Sequence, residues 1–195
     1  MYSISFPIKK HFLLYISINF LFDISLYNSK NLIVEDCRFE GPEDGESALK
    51  ECSNIKLNNC YMDLRYPFWH DNLVSINNVE MTKNCRAALW YSKDISITNS
   101  TLGGIKALRE CSDVTIYNSY IDSAEFGWKT KKLTINNTTL SGEYAFFECK
   151  DVYIDKIDNF DYTIESSASI VDDGILNVEK LSFEEVVNVS IFFDT

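Results

Sequence analysis

Aromatic and charged side chains recur along the chain at intervals of about nineteen residues, at the same position of each repeat. We call the first set of these residues the aromatic column: Lys50, Trp69, Trp90, Arg109, Trp128 and Phe147. We call the residues that follow them the flanking column: Glu51, His70, Tyr91, Glu110, Lys129 and Glu148. Rings and cations at strand spacing can stack on each other and on a sugar. Polar neighbours can hydrogen-bond such a ligand, so these residues are candidates for carbohydrate binding.

The direction in which the aromatic column points stays open at this level. If Leu49, Leu89 and Leu108 point inward, strand alternation turns the aromatic column outward. A shift of one residue would turn the same column inward, as core filling. Lys50 and Arg109 favour the outward arrangement, because burying an unpaired cation is costly.

The sequence contains candidate catalytic residues, but their spacing does not suit glycoside hydrolysis. Glu51 and Glu110 belong to coils three apart, roughly 14 Å at strand spacing, whereas glycosidases hold two carboxyl groups about 5 to 9.5 Å apart. The pair Asp172 and Asp173 lacks accompanying His and Arg motifs, and His70 is a lone histidine among aromatic residues. We therefore predict a non-catalytic binding protein, with a polysaccharide lyase or glycoside hydrolase as the alternative.

Seven short segments share an apolar-polar-apolar pattern, and in five of them it leads to an asparagine. These asparagines are 19, 21, 19 and 19 residues apart: Asn59, Asn78, Asn99, Asn118 and Asn137. A period of two indicates strands. Units of this length bury their apolar side only by stacking. We predict an all-β fold, a single-stranded right-handed parallel β-helix (solenoid) of about 19 residues per coil and roughly seven coils.

The repeats are expected over residues 28–158. Residues 1–27 are expected to form an N-terminal cap and a poorly matched first coil, and residues 159–195 an irregular acidic C-terminal coil or cap. The asparagines are expected to form an internal ladder of side-chain amides. The six cysteines are expected to be buried free thiols, because those in one column lie at least two coils apart and only Cys37 and Cys60 are close.

Charge and composition exclude several classes of protein. The net charge of −11, from 18 basic and 29 acidic residues, argues against nucleic-acid binding. No cysteine or histidine spacing suits zinc, and we expect no metal and no cofactor. The apolar run over residues 12–22 is short of the ~20 residues of a membrane span. We expect a cytoplasmic protein with a carbohydrate or protein ligand and possible self-association through the solenoid ends.

Several motifs resemble an uncharacterised bacterial family, domain of unknown function 3737, over about residues 22–158. They include Arg65-Tyr66-Pro67-Phe68-Trp69-His70, Cys85-Arg86-Ala87-Ala88-Leu89-Trp90-Tyr91, Phe126-Gly127-Trp128-Lys129, and the stretches 40–51 and 103–110. The resemblance implies a right-handed β-helix of the pectin-lyase-like type, with further C-terminal coils that are missing or degenerate here. It implies no established activity.

Overall fold

A computed structural model describes the backbone of residues 14–16, 19–20, 26–41, 47–154, 156–164, 182–183 and 190–191. Side chains are described for residues 26–41 and 47–154. Within these residues the chain is all strand and turn, and the paired strands are parallel. The predicted β-solenoid of about seven turns, with roughly 19 residues per turn, is confirmed. The right-handed sense of the coiling stays a prediction.

The strands stack in three columns, one strand of each column per coil. The first column contains β1 (Leu14–Ile16), β4 (Lys30–Glu35), the start of β7 (Ser53–Asp63), the start of β9 (Asn72–Met81), β11 (Lys93–Thr98), β13 (Ser112–Tyr117), β16 (Lys131–Asn136) and β18 (Lys150–Ile154). The second contains β2 (Asn19–Phe20), β5 (Arg38–Glu40), the ends of β7 and β9, β12 (Thr101–Gly104), β14 (Tyr120–Ser123), β17 (Thr138–Ala145) and β19 (Lys156–Ile164), against which β20 (Ser182–Phe183) and β21 (Ser190–Ile191) pair.

The third column is made of very short strands and carries the candidate site. It contains β3 (Leu26–Tyr27), β6 (Leu49–Lys50), β8 (Phe68–Trp69) and β10 (Leu89–Trp90), and a single bridge then joins Trp90 to Arg109. In the next coil β15 (Glu125–Phe126) pairs with the end of β17.

The core is built from apolar residues that repeat in register from coil to coil. Ile55 pairs with Leu32 on one side and with Val74 on the other, and the same column continues to Val152. A second inward column contains Phe39, Met62, Met81, Leu102, Ile121 and Leu140, all buried. Because alternate residues of a strand face opposite sides, the period of two places both columns inside. The burial of the apolar side of each repeat, predicted from the sequence, is confirmed.

Each coil turns its corners with residues in the left-handed backbone conformation. One corner column consists of Asp36, Asn59, Asn78, Asn99, Asn118 and Asn137, with φ between 47° and 53°. Asparagine and aspartate tolerate this conformation better than other residues with a side chain, which explains the asparagine column. A second corner contains Asn31, Asn54, Leu73, Asp94, Asp113, Lys132 and Asp151, and the third is the flanking column with Asn28 before it.

The asparagine ladder exists, but the prediction that it is internal was wrong. Asn59, Asn78, Asn99 and Asn118 are exposed, because a side chain at a convex corner points away from the core. The Asn78 amide still donates to the Asn59 side-chain oxygen at 2.8 Å, and Asn137 donates to Asn118. Asn99 departs from the ladder and donates to the oxygen of Asn77 at 2.9 Å.

A column of small buried residues lies just inside the flanking column. Its members are Ser29, Cys52, Asp71, Ser92, Cys111, Thr130 and Cys149. All six cysteines of the chain are buried free thiols, Cys37 and Cys60 included, as the sequence predicts. Burial raises the pKa of the Cys52, Cys60 and Cys85 thiols to about 11 and that of Cys111 and Cys149 to about 12.

The predicted terminal regions lie largely outside the described residues. Within the region 1–27, the backbone of β1 pairs with β4, with Leu14 opposite Leu32. At the other end β19 runs across position 158 and pairs with β17. In the part of the chain that the structure describes, no helix is long and apolar enough to cross a membrane.

Candidate functional site

The third strand column points the aromatic column outward. In β6, β8 and β10 the first residue, Leu49, Phe68 or Leu89, is fully buried. The second residue of each strand is half-buried on the outer surface, and so are the later members of the aromatic column. The chain then turns through a left-handed residue of the flanking column. The inward alternative left open by the sequence is therefore not the one that the structure adopts.

The aromatic column is continuous along the solenoid. The Lys50 Nζ atom lies 4.2 Å from the Trp69 ring centroid, and the Trp69 and Trp90 centroids are 6.3 Å apart with 28° between their planes. The Arg109 Cζ atom lies 4.9 Å from the Trp90 ring and 5.4 Å from the Trp128 ring. The Trp128 and Phe147 centroids are 4.6 Å apart. Each member therefore contacts the next through stacking or a cation–π interaction.

This stacking determines which parts of the indole rings a ligand can reach. Trp69 lies between Lys50 of the preceding coil and Trp90 of the following coil, and Trp90 lies between Trp69 and Arg109. Both ring faces are thus covered by neighbours. The Nε1 atoms of both tryptophans are buried and have no hydrogen-bond partner among the described residues. A ligand here would contact ring edges, and its hydrogen bonds would have to come from other side chains.

The flanking column supplies those hydrogen-bonding groups. Its members are exposed, except for the half-buried Glu110. The His70 and Tyr91 rings stack with centroids 4.8 Å apart and 21° between their planes, and Tyr91 also stacks on Trp90 at 5.3 Å. Glu110 pairs with Arg109 at 3.2 Å, and Glu148 pairs with Lys129 at 3.2 Å. The two columns together form one ridge of rings, cations and hydrogen-bonding groups.

A cavity of about 250 Å³ opens at the end of this ridge. Its walls are Glu125, Phe126, Trp128, Tyr144, Ala145 and Phe147. The Lys106 Nζ atom forms an ion pair with Glu125 Oε2 at 3.0 Å, but this buried oxygen has no hydrogen-bond partner among the described residues. The same ammonium lies 4.7 Å from the Trp128 ring centroid. We call this space the Trp128 cavity. It offers open volume beside the Trp128 and Phe147 rings.

The chain was compared with known proteins. A family model described as a protein of unknown function (DUF3737) matches residues 18–193. The chain belongs to this DUF3737 family. Searches of the curated proteins and of the solved structures find no match. The family resemblance predicted from the sequence is confirmed, and the DUF3737 assignment carries no activity with it.

Ten site residues were predicted for this DUF3737 chain, and all ten lie on the ridge. They are Lys50, Glu51, Trp69, His70, Trp90, Tyr91, Arg109, Glu110, Trp128 and Lys129. Sequence reasoning missed Lys106, Glu125 and Tyr144 at the cavity. The signal for two of them was present, since Glu125 and Tyr144 are 19 residues apart and pair directly between coils.

One buried carboxyl group lies beneath the ridge of the DUF3737 solenoid. Asp71 is 1% exposed and accepts hydrogen bonds from the backbone N–H groups of Cys52 at 2.6 Å and Trp69 at 3.0 Å. Burial raises its pKa to about 7. Because Asp71 is buried and accepts hydrogen bonds from backbone N–H groups, its role is structural.

The described residues of the ridge contain no further candidate metal or acid cluster. The pair Asp172 and Asp173 lies outside the described residues. Within the described ranges no group of three His, Cys, Asp or Glu side chains is placed to hold a metal ion.

Proposed function

We propose that this DUF3737 protein is a non-catalytic binding solenoid whose ligand is an extended carbohydrate lying along the ridge. The observation that carries the proposal is the unbroken aromatic column, which contacts itself from Lys50 to Phe147 on the outer surface. Six coils at strand spacing give a ridge roughly 24 Å long. A surface that presents a ring or a cation, followed by a hydrogen-bonding group, at each coil suits a ligand that also repeats, as a polysaccharide does.

The ridge combines apolar and polar groups, which supports a carbohydrate ligand. Stacked ring edges offer apolar contact, while the flanking column offers one polar group at each coil, which is a carboxylate, an imidazole, a phenol or an ammonium group. Sugars present apolar C–H edges and hydroxyl groups together, and binding sites for them combine aromatic surface with a few oriented polar groups.

The carboxylates on the ridge support binding rather than bond cleavage. Glu110 and Glu148 are each paired with a neighbouring cation, at 3.2 Å in both cases. Glu51 lies three coils from Glu110, roughly 14 Å at strand spacing, beyond the distance that glycoside hydrolysis uses. The ridge therefore lacks a free, closely spaced acid pair among its described residues.

The test uses a glycan array with the wild-type protein and the variant His70→Asn/Tyr91→Asn. Asparagine suits the left-handed backbone of both positions, at φ 57° and 55°, so this variant changes the ridge without breaking the corner. The matched control is Tyr120→Thr, which removes an exposed tyrosine from the second strand column.

We expect saturable binding of at least one glycan, loss of most of that binding in the double variant, and no loss in the control. Absence of glycan binding by the wild type would overturn the proposal. If the double variant binds the glycan as well as the wild type does, the ridge is not the binding site and that part of the proposal is wrong. Release of cleaved product from a bound polysaccharide would contradict the non-catalytic part.

A further inference from the structure

The Trp128 cavity provides open volume beside one member of the aromatic column. The Trp69 and Trp90 rings are covered on both sides by stacked neighbours. Trp128 has Arg109 and Lys106 on the side of the preceding coil and Phe147 on the side of the following coil, yet a cavity of about 250 Å³ opens beside it. A ring-sized ligand group therefore has room beside Trp128.

The walls of the cavity define the chemistry that it accepts. Trp128, Tyr144, Phe147 and the buried Phe126 are aromatic, and Ala145 adds a small apolar surface. Glu125 is the charged member of the wall. Among the described walls, Glu125 and the Tyr144 hydroxyl group supply the acceptors. Aromatic walls with a few such polar groups are typical of sites that bind a compact ligand with an apolar face and a few hydroxyl groups.

The charges around the cavity balance. Glu125 Oε2 is held at 3.0 Å by Lys106, and Arg109, the other cation near Trp128, is paired with Glu110 at 3.2 Å. Although Lys106 lies at ion-pair distance, the buried Oε2 oxygen of Glu125 has no hydrogen-bond partner among the described residues, so the carboxylate can accept a hydrogen bond from a ligand hydroxyl. An anionic ligand would face Glu125, and a cationic one would face Lys106 and Arg109. The balance therefore favours an uncharged ligand.

We propose that the Trp128 cavity is the subsite for a single uncharged sugar ring, stacked on the aromatic walls and donating a hydroxyl hydrogen bond to Glu125. The inference rests on the proposed function and deepens it, because it places one ring of the carbohydrate at the end of the ridge. The sugar beyond this ring would continue along the flanking column.

The experiment uses the three tryptophans of the chain. The variant Trp69→Phe/Trp90→Phe keeps aromatic rings in the column and leaves Trp128 as the only fluorophore of its kind. Uncharged monosaccharides and disaccharides, with the corresponding uronic acids and amino sugars, are titrated while Trp128 fluorescence is recorded. We expect a saturable change with an uncharged sugar and a weaker one with its charged counterparts.

Two further variants locate the sugar. Tyr144→Thr removes a cavity wall and introduces the residue type found opposite it in the next coil, Thr163. Glu125→Gln keeps the shape of the acceptor and removes its charge. In the Trp128-only background each is expected to weaken binding about tenfold, the effect of losing one such contact. Tyr120→Thr is the matched control, since its partner in the next coil is Thr139, and we expect no effect.

The outcomes separate this inference from the proposed function. If an uncharged glycan binds the wild type and the Trp128-only protein, but Tyr144→Thr and Glu125→Gln in the Trp128-only background bind it equally well, the inference is overturned while the proposed function stands. Tighter binding of a charged sugar than of its uncharged counterpart overturns the ligand class. If no sugar binds the wild type in the array or the Trp128-only protein in the titration, both are overturned.

Discussion

The Trp69 and Trp90 indole rings stack with their centroids 6.3 Å apart, although the two residues are 21 positions apart in the sequence. Their backbones pair directly, Trp90 opposite Trp69 in adjacent short strands. Residues at the same position of adjacent coils are therefore in contact, and here both are tryptophans. The ridge and the proposed carbohydrate binding both follow from this coil-to-coil register.

Replacement of Leu73 by asparagine is expected to stabilise the protein. Leu73 has φ 56° and is 53% exposed, in a corner column where its neighbours are Asn54 and Asp94. The left-handed conformation costs roughly 1–2 kcal/mol for residues other than glycine, and asparagine tolerates it best. Leu73→Asn should raise the free energy of unfolding by about 1 kcal/mol, or Tm by about 2–4 °C.

Leu73→Ala is the control, since it removes the exposed side chain but keeps the backbone strain. It should show no such gain when both are measured by thermal unfolding. A Leu73→Asn protein no more stable than Leu73→Ala would show that the left-handed corner is not strained.

Gly104→Ala is expected to be severely destabilising. Gly104 has φ +102°, and a Cβ atom there would lie 1.8 Å from the Cys85 carbonyl oxygen. The Cys85 carbonyl belongs to the backbone, and the backbone of residue 104 fixes the position of the new Cβ atom. The two coils would therefore have to separate locally. We expect a loss of about 2–4 kcal/mol or failure to fold. Gly41→Ala, whose Cβ would lie an ordinary 3.5 Å from Leu64, should change stability by less than about 0.5 kcal/mol in the same denaturant titration.

Asp71 is expected to make stability depend on pH in the direction opposite to most carboxylates. Burial raises its pKa from 3.8 to about 7, so the folded protein favours the neutral acid. The stability that it contributes is complete below pH 3.8 and is lost as the pH rises towards 7. The variant Asp71→Ser serves as the reference without this carboxyl group, because serine occupies the equivalent buried positions Ser29 and Ser92 in the same column.

The measurement is the difference in unfolding free energy between wild type and Asp71→Ser across this pH range. Relative to the variant, the wild type should lose stability as the pH rises from about 4 to 7. A constant difference would mean that the backbone N–H groups of Cys52 and Trp69 keep Asp71 ionised throughout.

The six thiols are expected to be unreactive in the folded protein. All are buried, and burial raises the pKa of five of them to about 11 or about 12, which leaves almost no thiolate at pH 8. A thiol-specific chromogenic reagent should therefore label none of them before unfolding and all six in denaturant. Labelling of any thiol in the native state, faster than unfolding, would show that its coil opens locally.

Much of the fold followed from the sequence because the core repeats with a clear period. The inward residues from Leu32 to Val152 alternate with polar ones, and only one register buries them. The asparagine column was placed inside incorrectly, because the amide pattern indicates stacking but not the curvature of the corner. The left-handed φ of Asn59 and its neighbours turns their side chains outward.

The site was predicted less completely for physical reasons. The strands that carry Trp69 and Trp90 are two residues long, so alternation alone does not define their direction. The Trp128 cavity depends on side chains from three coils, with Lys106, Glu125 and Tyr144 brought together only by folding. Spacing along the chain indicates that such residues stack, but not that space is left between them.

The central claim is that the ridge binds an extended carbohydrate, and calorimetric titration with oligosaccharides of increasing length tests it most directly. The glycan selected on the array is prepared as a series of chain lengths and titrated into the wild type and into His70→Asn/Tyr91→Asn. Affinity should rise with length until the ligand spans the ridge of roughly 24 Å and then level off, with a weaker rise in the variant. Affinity independent of length, or identical in the two proteins, would contradict binding along the ridge.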